Sequence, residues 1–176
     1  MQPAPAIDIQ PAISLLEKTP PILETLLGDL PAELLEWKPS PERWSISEVL
    51  GHLAALEQVY AERIKRMLAE NSPAIPKYDL AGASASGEYS RLSGSENLKQ
   101  FLSRRIVTIG VLWSLSPSAG ERTGVHSELG EIKLAHMLNE WASHDLGHLR
   151  QIAELYRAHA FHPHSGPFMK YSDPKP

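Results

Sequence analysis

The chain of 176 residues contains no cysteine. Disulfides, thiolate metal sites and a cysteine nucleophile are therefore excluded. It has no apolar run close to the roughly 18 residues of a membrane span, so no membrane partner is expected. Positive charge is not in excess: 17 Lys and Arg stand against 21 Asp and Glu, a net charge of -4. They are scattered rather than striped, which argues against a nucleic-acid partner. Gly82 and Gly87 form no phosphate-cradling motif. The opening stretch, MQPAPAIDIQPAISLL, has no basic segment leading into a long apolar one, so it does not read as a signal peptide and a cytoplasmic protein is expected. What remains is ordinary: 42% hydrophobic and 22% charged residues suit one globular domain over residues 1–176.

The hydrophobic pattern predicts four helical stretches and no strand. The first begins near Asp8 and carries Ile9, Ile13 and Leu16. Thr19-Pro20-Pro21 then predicts a kink or break, with a short second piece carrying Leu23, Leu26 and Leu27. After a proline-rich connector, Ser45-Ile46-Ser47-Glu48 reads as a capping box opening a long helix to about Glu70. Residues 71–94 read as a long loop of the kind that is often functional or mobile. A third helix is expected from about Ser95 to Leu115 and a last one from about Glu131 to His159. The aromatic tail, with Phe161, Phe168 and Tyr171, is expected to pack back as a strap. These elements predict an all-α fold, a four-helix bundle with a broken first helix and a packed C-terminal tail.

One pentapeptide carries chemistry: HDLGH, His144 to His148. With Glu at 145 it would read as the H-E-x-x-H signature of zinc proteases. On a helical wheel Leu134, Met137, Leu138, Trp141, Leu149, Ile152, Leu155 and Tyr156 form an apolar stripe. Asp145 falls at its centre, His148 within it, and His144 at its edge, about 40° from His148. Buried imidazoles and a carboxylate need partners, and two imidazoles at i and i+4 can share one metal ion. His52 is the candidate third ligand, since it lies at the edge of the stripe of the long second helix. His126, His136, His159, His162 and His164 fit less well: they fall in a connector, on a polar face, or in or near the tail.

Arg105 falls inside the apolar stripe of the third helix. It reads either as a long side chain snorkelling to solvent, the reading slightly favoured, or as a buried partner of Asp145 or a clamp for an anionic substrate. Gln151 is a candidate polar wall of the pocket, and Glu140 a weaker one. Asp145, Gln151 and Arg105 thus form the catalytic candidate set, with Asp145 expected to orient His148 or to hold Arg105. A zincin-like protease with Asp145 as base is disfavoured, because Asp is shorter than Glu and the wheel aims it at the core.

Three stretches resemble the DinB-like superfamily, the DinB and YfiT type of four-helix bundle. They are WSISEVLGHLAALE (44–57), LGEIKLAHMLNEWASHDLGHLRQI (129–152) and SGPFMKY (165–171). The resemblance implies a divalent metal, often zinc or nickel, bound through His52, His144 and His148. It implies a small-molecule substrate, the use, as in some relatives, of a low-molecular-weight thiol such as mycothiol, bacillithiol or glutathione, and a homodimer. The expectation is a metal-dependent thiol transferase or hydrolase. The alternative is a non-enzymatic metal-binding bundle of the stress response.

Overall fold

The computed structural model describes residues 7–171, 173 and 174. Four long helices make the bundle: α1 (Gln10–Leu27), α3 (Ile46–Ala69), α5 (Gly94–Trp113) and α6 (Leu134–Tyr156). Two short ones, α2 (Ala32–Glu36) and α4 (Leu80–Ala85), lie in the connections. α1 and α3 each pack on both α5 and α6, so α1 lies diagonal to α3 and α5 diagonal to α6. The all-α bundle expected from the sequence is the architecture found.

Ser45 and Glu48 form the expected capping box: the Ser45 Oγ accepts from the Glu48 amide at 3.2 Å, and Glu48 accepts from the Ser45 amide at 2.8 Å. Ser93 and Glu96 cap α5 in the same way. Gly51 in α3 has a packing reason. A Cβ there would run into the Tyr89 carbonyl, so glycine lets the turn bearing Tyr89 lie directly against the helix next to His52.

α1 is not broken. It runs continuously through Pro20 and Pro21. Its buried stripe, Ile13, Leu16, Thr19, Leu23 and Leu27, stays in phase across the prolines, which sit on the outer side. Proline's fixed φ suits a helix; its cost is a lost hydrogen bond to the carbonyl four residues back and a ring that crowds that carbonyl. The Leu16 carbonyl, which Pro20 leaves without its helical donor, accepts from Arg105 Nη1 at 2.9 Å instead.

Strands are present, against expectation. β1 (Ala74–Ile75) pairs parallel to β2 (Thr123–His126), which pairs antiparallel to β3 (Gly130–Lys133). β3 therefore occupies residues expected to begin the last helix, and α6 starts at Leu134. The hairpin turns at Gly130, whose φ of +73° favours glycine. The tail also differs from the strap expected. Beyond α6 it forms one wide helical turn and short 3-10 turns, with Phe161, Phe168 and Tyr171 exposed.

The core has two apolar halves. One gathers Ile13, Leu16, Tyr60, Ile64, Leu112 and Trp141; the other gathers Leu23, Leu27, Leu50, Leu53, Phe101 and Ile152. Between them lies a charged layer of Glu57, Arg105 and Asp145, all buried. Arg105 is fully buried rather than snorkelling. Its Nη1 and Nη2 donate to the two Asp145 carboxylate oxygens at 2.6 and 3.2 Å, and its Nε donates to Glu57 Oε1 at 2.8 Å. The guanidinium lies between the Phe101 and Trp141 rings, 4.9 Å from each centroid. From α5, Arg105 thus touches α1, α3 and α6 at once. Burial works against its charge, but Asp145 and Glu57 together outweigh it and raise its pKa. Glu57 shares that single cation, and burial drives its carboxyl pKa up despite Arg105.

Candidate metal centre

His52 projects from α3, and His144 and His148 project from adjacent turns of α6, into the groove where these helices meet. The Nε2 of His144 lies 3.1 Å from the Nε2 of His52 and 3.1 Å from that of His148. One donor nitrogen from each ring lies within 4.8 Å of the others. Three imidazole nitrogens on one tetrahedral ion at its normal bond length are about 3.4 Å apart, so the spacing fits a shared ion.

The protons argue for the same fit. His148 Nδ1 is 2.9 Å from Gln151 Oε1, an acceptor, so Nδ1 carries the proton and the neutral ring turns a bare Nε2 toward His144. His144 can donate to that atom, but its Nε2–H then also faces the Nε2 of His52 and offers it no lone pair. With neutral rings and this tautomer, at most one of the two contacts is a hydrogen bond. A cation in the middle satisfies all three nitrogens.

Burial favours the neutral form of all three rings. Burial, reinforced by the neighbouring imidazoles, lowers the pKa of His52 to about 3. Burial and His148 lower that of His144 to about 4. Burial also lowers that of His148, against the opposing bond to Gln151 and the charge of Asp145. Neutral imidazole is the form that binds metal.

Aromatic rings enclose the groove. Trp44, just before α3, lies 5.0 Å from His52 and stacks at 6.4 Å on His148. Tyr89 meets His52 edge-on at 5.1 Å, and its hydroxyl lies 3.0 Å from that of Tyr78. The segment 71–94 is therefore one wall of the site rather than a bare loop.

The structure brings His52, His144 and His148 together as the sequence suggested. The three other candidates separate. Gln151 orients His148, rather than only lining the pocket. Asp145 and Arg105 pair with each other in the core, behind the histidines, and neither faces the groove. Glu57 was missed. Its signal was available: it lies four residues after Leu53 and three before Tyr60, inside the apolar stripe of α3, as Arg105 and Asp145 do on their helices.

The chain is similar to known proteins. A protein of Oceanobacillus iheyensis, provisionally named a metal-dependent hydrolase, is 29% identical over 144 residues, covering 81% of this chain and 83% of its own length. The structure of YfiT from Bacillus subtilis superimposes with a TM-score of 0.77 at 23% identity, covering 90% of this chain and 91% of that one. That protein is described as an inferred metal-dependent hydrolase with an unusual four-helix bundle topology. The sequence model of the DinB superfamily matches residues 15–152, which include all three histidines, and the chain belongs to that superfamily.

Proposed function

We propose that the protein is a metal-dependent hydrolase of a small molecule, with a zinc or nickel ion held by His52, His144 and His148. The carrying observation is the donor set: three neutral imidazoles whose Nε2 atoms converge at the wall of an open groove, with no fourth protein ligand among the described residues. Structural zinc sites are closed by four protein ligands, whereas catalytic ones keep a position for water or substrate. A divalent ion at such a position lowers the pKa of a bound water or thiol and polarises a carbonyl. The remaining steps belong to the chain: Gln151 fixes the His148 tautomer, and the aromatic wall restricts water. The names of the relatives point to hydrolysis.

A second reading, thiol transfer, is favoured by one specific feature. Two clefts flank the triad and share His144 and His148. One, of about 610 Å³, carries Arg43, Arg150, Gln151 and Glu154; the other, of about 400 Å³, is largely aromatic and apolar. A polar low-molecular-weight thiol in the first and an apolar electrophile in the second would meet at the metal.

Elemental analysis after chelator-free purification tests the centre. One ion per chain, lost in His144→Ala, is expected; no stoichiometric ion removes the reading. Assays of the loaded protein on small esters and amides, with and without added thiol, then separate hydrolysis from thiol transfer. If no turnover is found and chelation collapses thermal stability, the ion has a structural role.

A further inference from the structure

The smaller cleft continues well beyond the histidines. Its floor is a row on α3, His52, Leu56, Tyr60 and Arg63, each one turn after the last. Their Cα atoms span about 16 Å of helical rise. Trp44, Tyr78 and Leu80 form the walls. Side chains on a helix lean toward its N-terminus, and the Arg63 guanidinium accordingly lies over the Tyr60 ring, 5.9 Å from its centroid, on the side of the triad.

Arg63 is half-buried and has no ion pair among the described residues. Its Nη2 donates to the Pro76 carbonyl at 2.8 Å, which fixes the side chain. Nε and Nη1 have no protein acceptor there. Burial weakens its hold on the proton and no carboxylate opposes that. A guanidinium drawn partly out of water, held in place and left without an anion, is stabilised by any anion that reaches it. The second Nη2 hydrogen, together with Nε or Nη1, still offers one two-pronged face to a planar acceptor with two oxygens. One cation matches one negative charge, which favours a carboxylate over a phosphate.

We propose that the cleft takes a flat, largely apolar carboxylic acid derivative, with its carboxylate on Arg63, its body along Trp44 and past the edge of Tyr60, and its reacting group at the triad. This rests on the reading of the triad as a metal site. It makes Arg63 the residue that selects the substrate, three turns from the chemistry.

Calorimetric titration of zinc-loaded protein with 3-phenylpropionate and with its neutral counterpart, 3-phenylpropionamide, tests this. The acid is expected to bind about tenfold more tightly than the amide, the size of one charge-assisted hydrogen bond. Arg63→Gln removes that preference, Arg63→Lys keeps part of it, and both leave the melting temperature and zinc content as in the parent. Because zinc itself can bind a carboxylate, the titrations are repeated on chelated protein, where the preference persists and still depends on Arg63. Equal binding of acid and amide overturns the proposal, as does no binding of either at millimolar concentration. A preference that survives Arg63→Gln but disappears with zinc also overturns it, while leaving the metal site standing. A preference that follows Arg63 in a protein taking up no zinc overturns the metal reading alone.

Discussion

Arg105 supplies the hydrogen bond that Pro20 denies to α1. Its Nη1 lies 2.9 Å from the Leu16 carbonyl, the oxygen that an ordinary residue at position 20 would engage through its amide. The same guanidinium holds Asp145 beside His144 and Glu57 just over one turn beyond His52. One side chain therefore repairs a helix and ties together the two helices that carry the triad.

Removing that side chain leaves two buried carboxylates and one carbonyl without their donor. Arg105→Met is expected to destabilise the protein by about 3–5 kcal/mol in urea denaturation. Pro20→Ala restores the amide, yet its gain in the parent protein is expected to stay below about 1 kcal/mol, against the ~3 kcal/mol usual for proline inside a helix. In the Arg105→Met background the gain is larger, because Leu16 then has no other donor. A double-mutant cycle in which the two changes simply add would show that Arg105 does not compensate for Pro20.

Gln151 fixes the tautomer of His148 through a 2.9 Å contact. Groups that orient a ligand in this way contribute about 10–100-fold to metal affinity. Gln151→Ala is expected to weaken zinc binding by that factor in competition with a chromophoric chelator, with the urea midpoint of the metal-free protein little changed. Unaltered affinity would mean that packing alone orients the ring.

The metal-free protein is expected to lose stability in acid through its histidines. The unfolded groups titrate near 6.5, whereas burial lowers His52 to about 3 and His144 to about 4 in the folded chain. Below pH 6.5 the unfolded chain therefore binds protons that the folded chain refuses, so ΔG of unfolding falls as pH drops. Above 6.5 both states are neutral at these sites, and their contribution is flat. Urea midpoints of chelated protein between pH 7.5 and 4.5 check this, with His52→Asn reducing the slope. A slope as steep in that variant as in the parent would assign the acid sensitivity elsewhere.

The bundle and the histidines were legible in the sequence because both follow from helical periodicity. The stripes of α3, α5 and α6 fixed which face turns inward, and HDLGH interrupted its stripe in a way that solvent exposure could not explain. Ser45 and Glu48 marked the start of α3 through local chemistry alone. The three short strands were illegible, since two to four residues are too few to set a period, and β1 finds β2 some fifty residues away.

Only the tertiary structure decided what the inward-facing charges do. Asp145, Arg105 and Glu57 each break an apolar stripe, but which partner each would find depends on how four helices face one another. That arrangement also settled α1. A proline taken alone predicts an interrupted helix; here the missing hydrogen bond is made by a residue 89 positions later in the chain. The sequence by itself determined that His52 and His144 lie at the edges of their apolar stripes and His148 within its own, because helix geometry is local. That their Nε2 atoms converge within reach of one ion was decided by the packing of α3 against α6, because only packing sets the distance between helices.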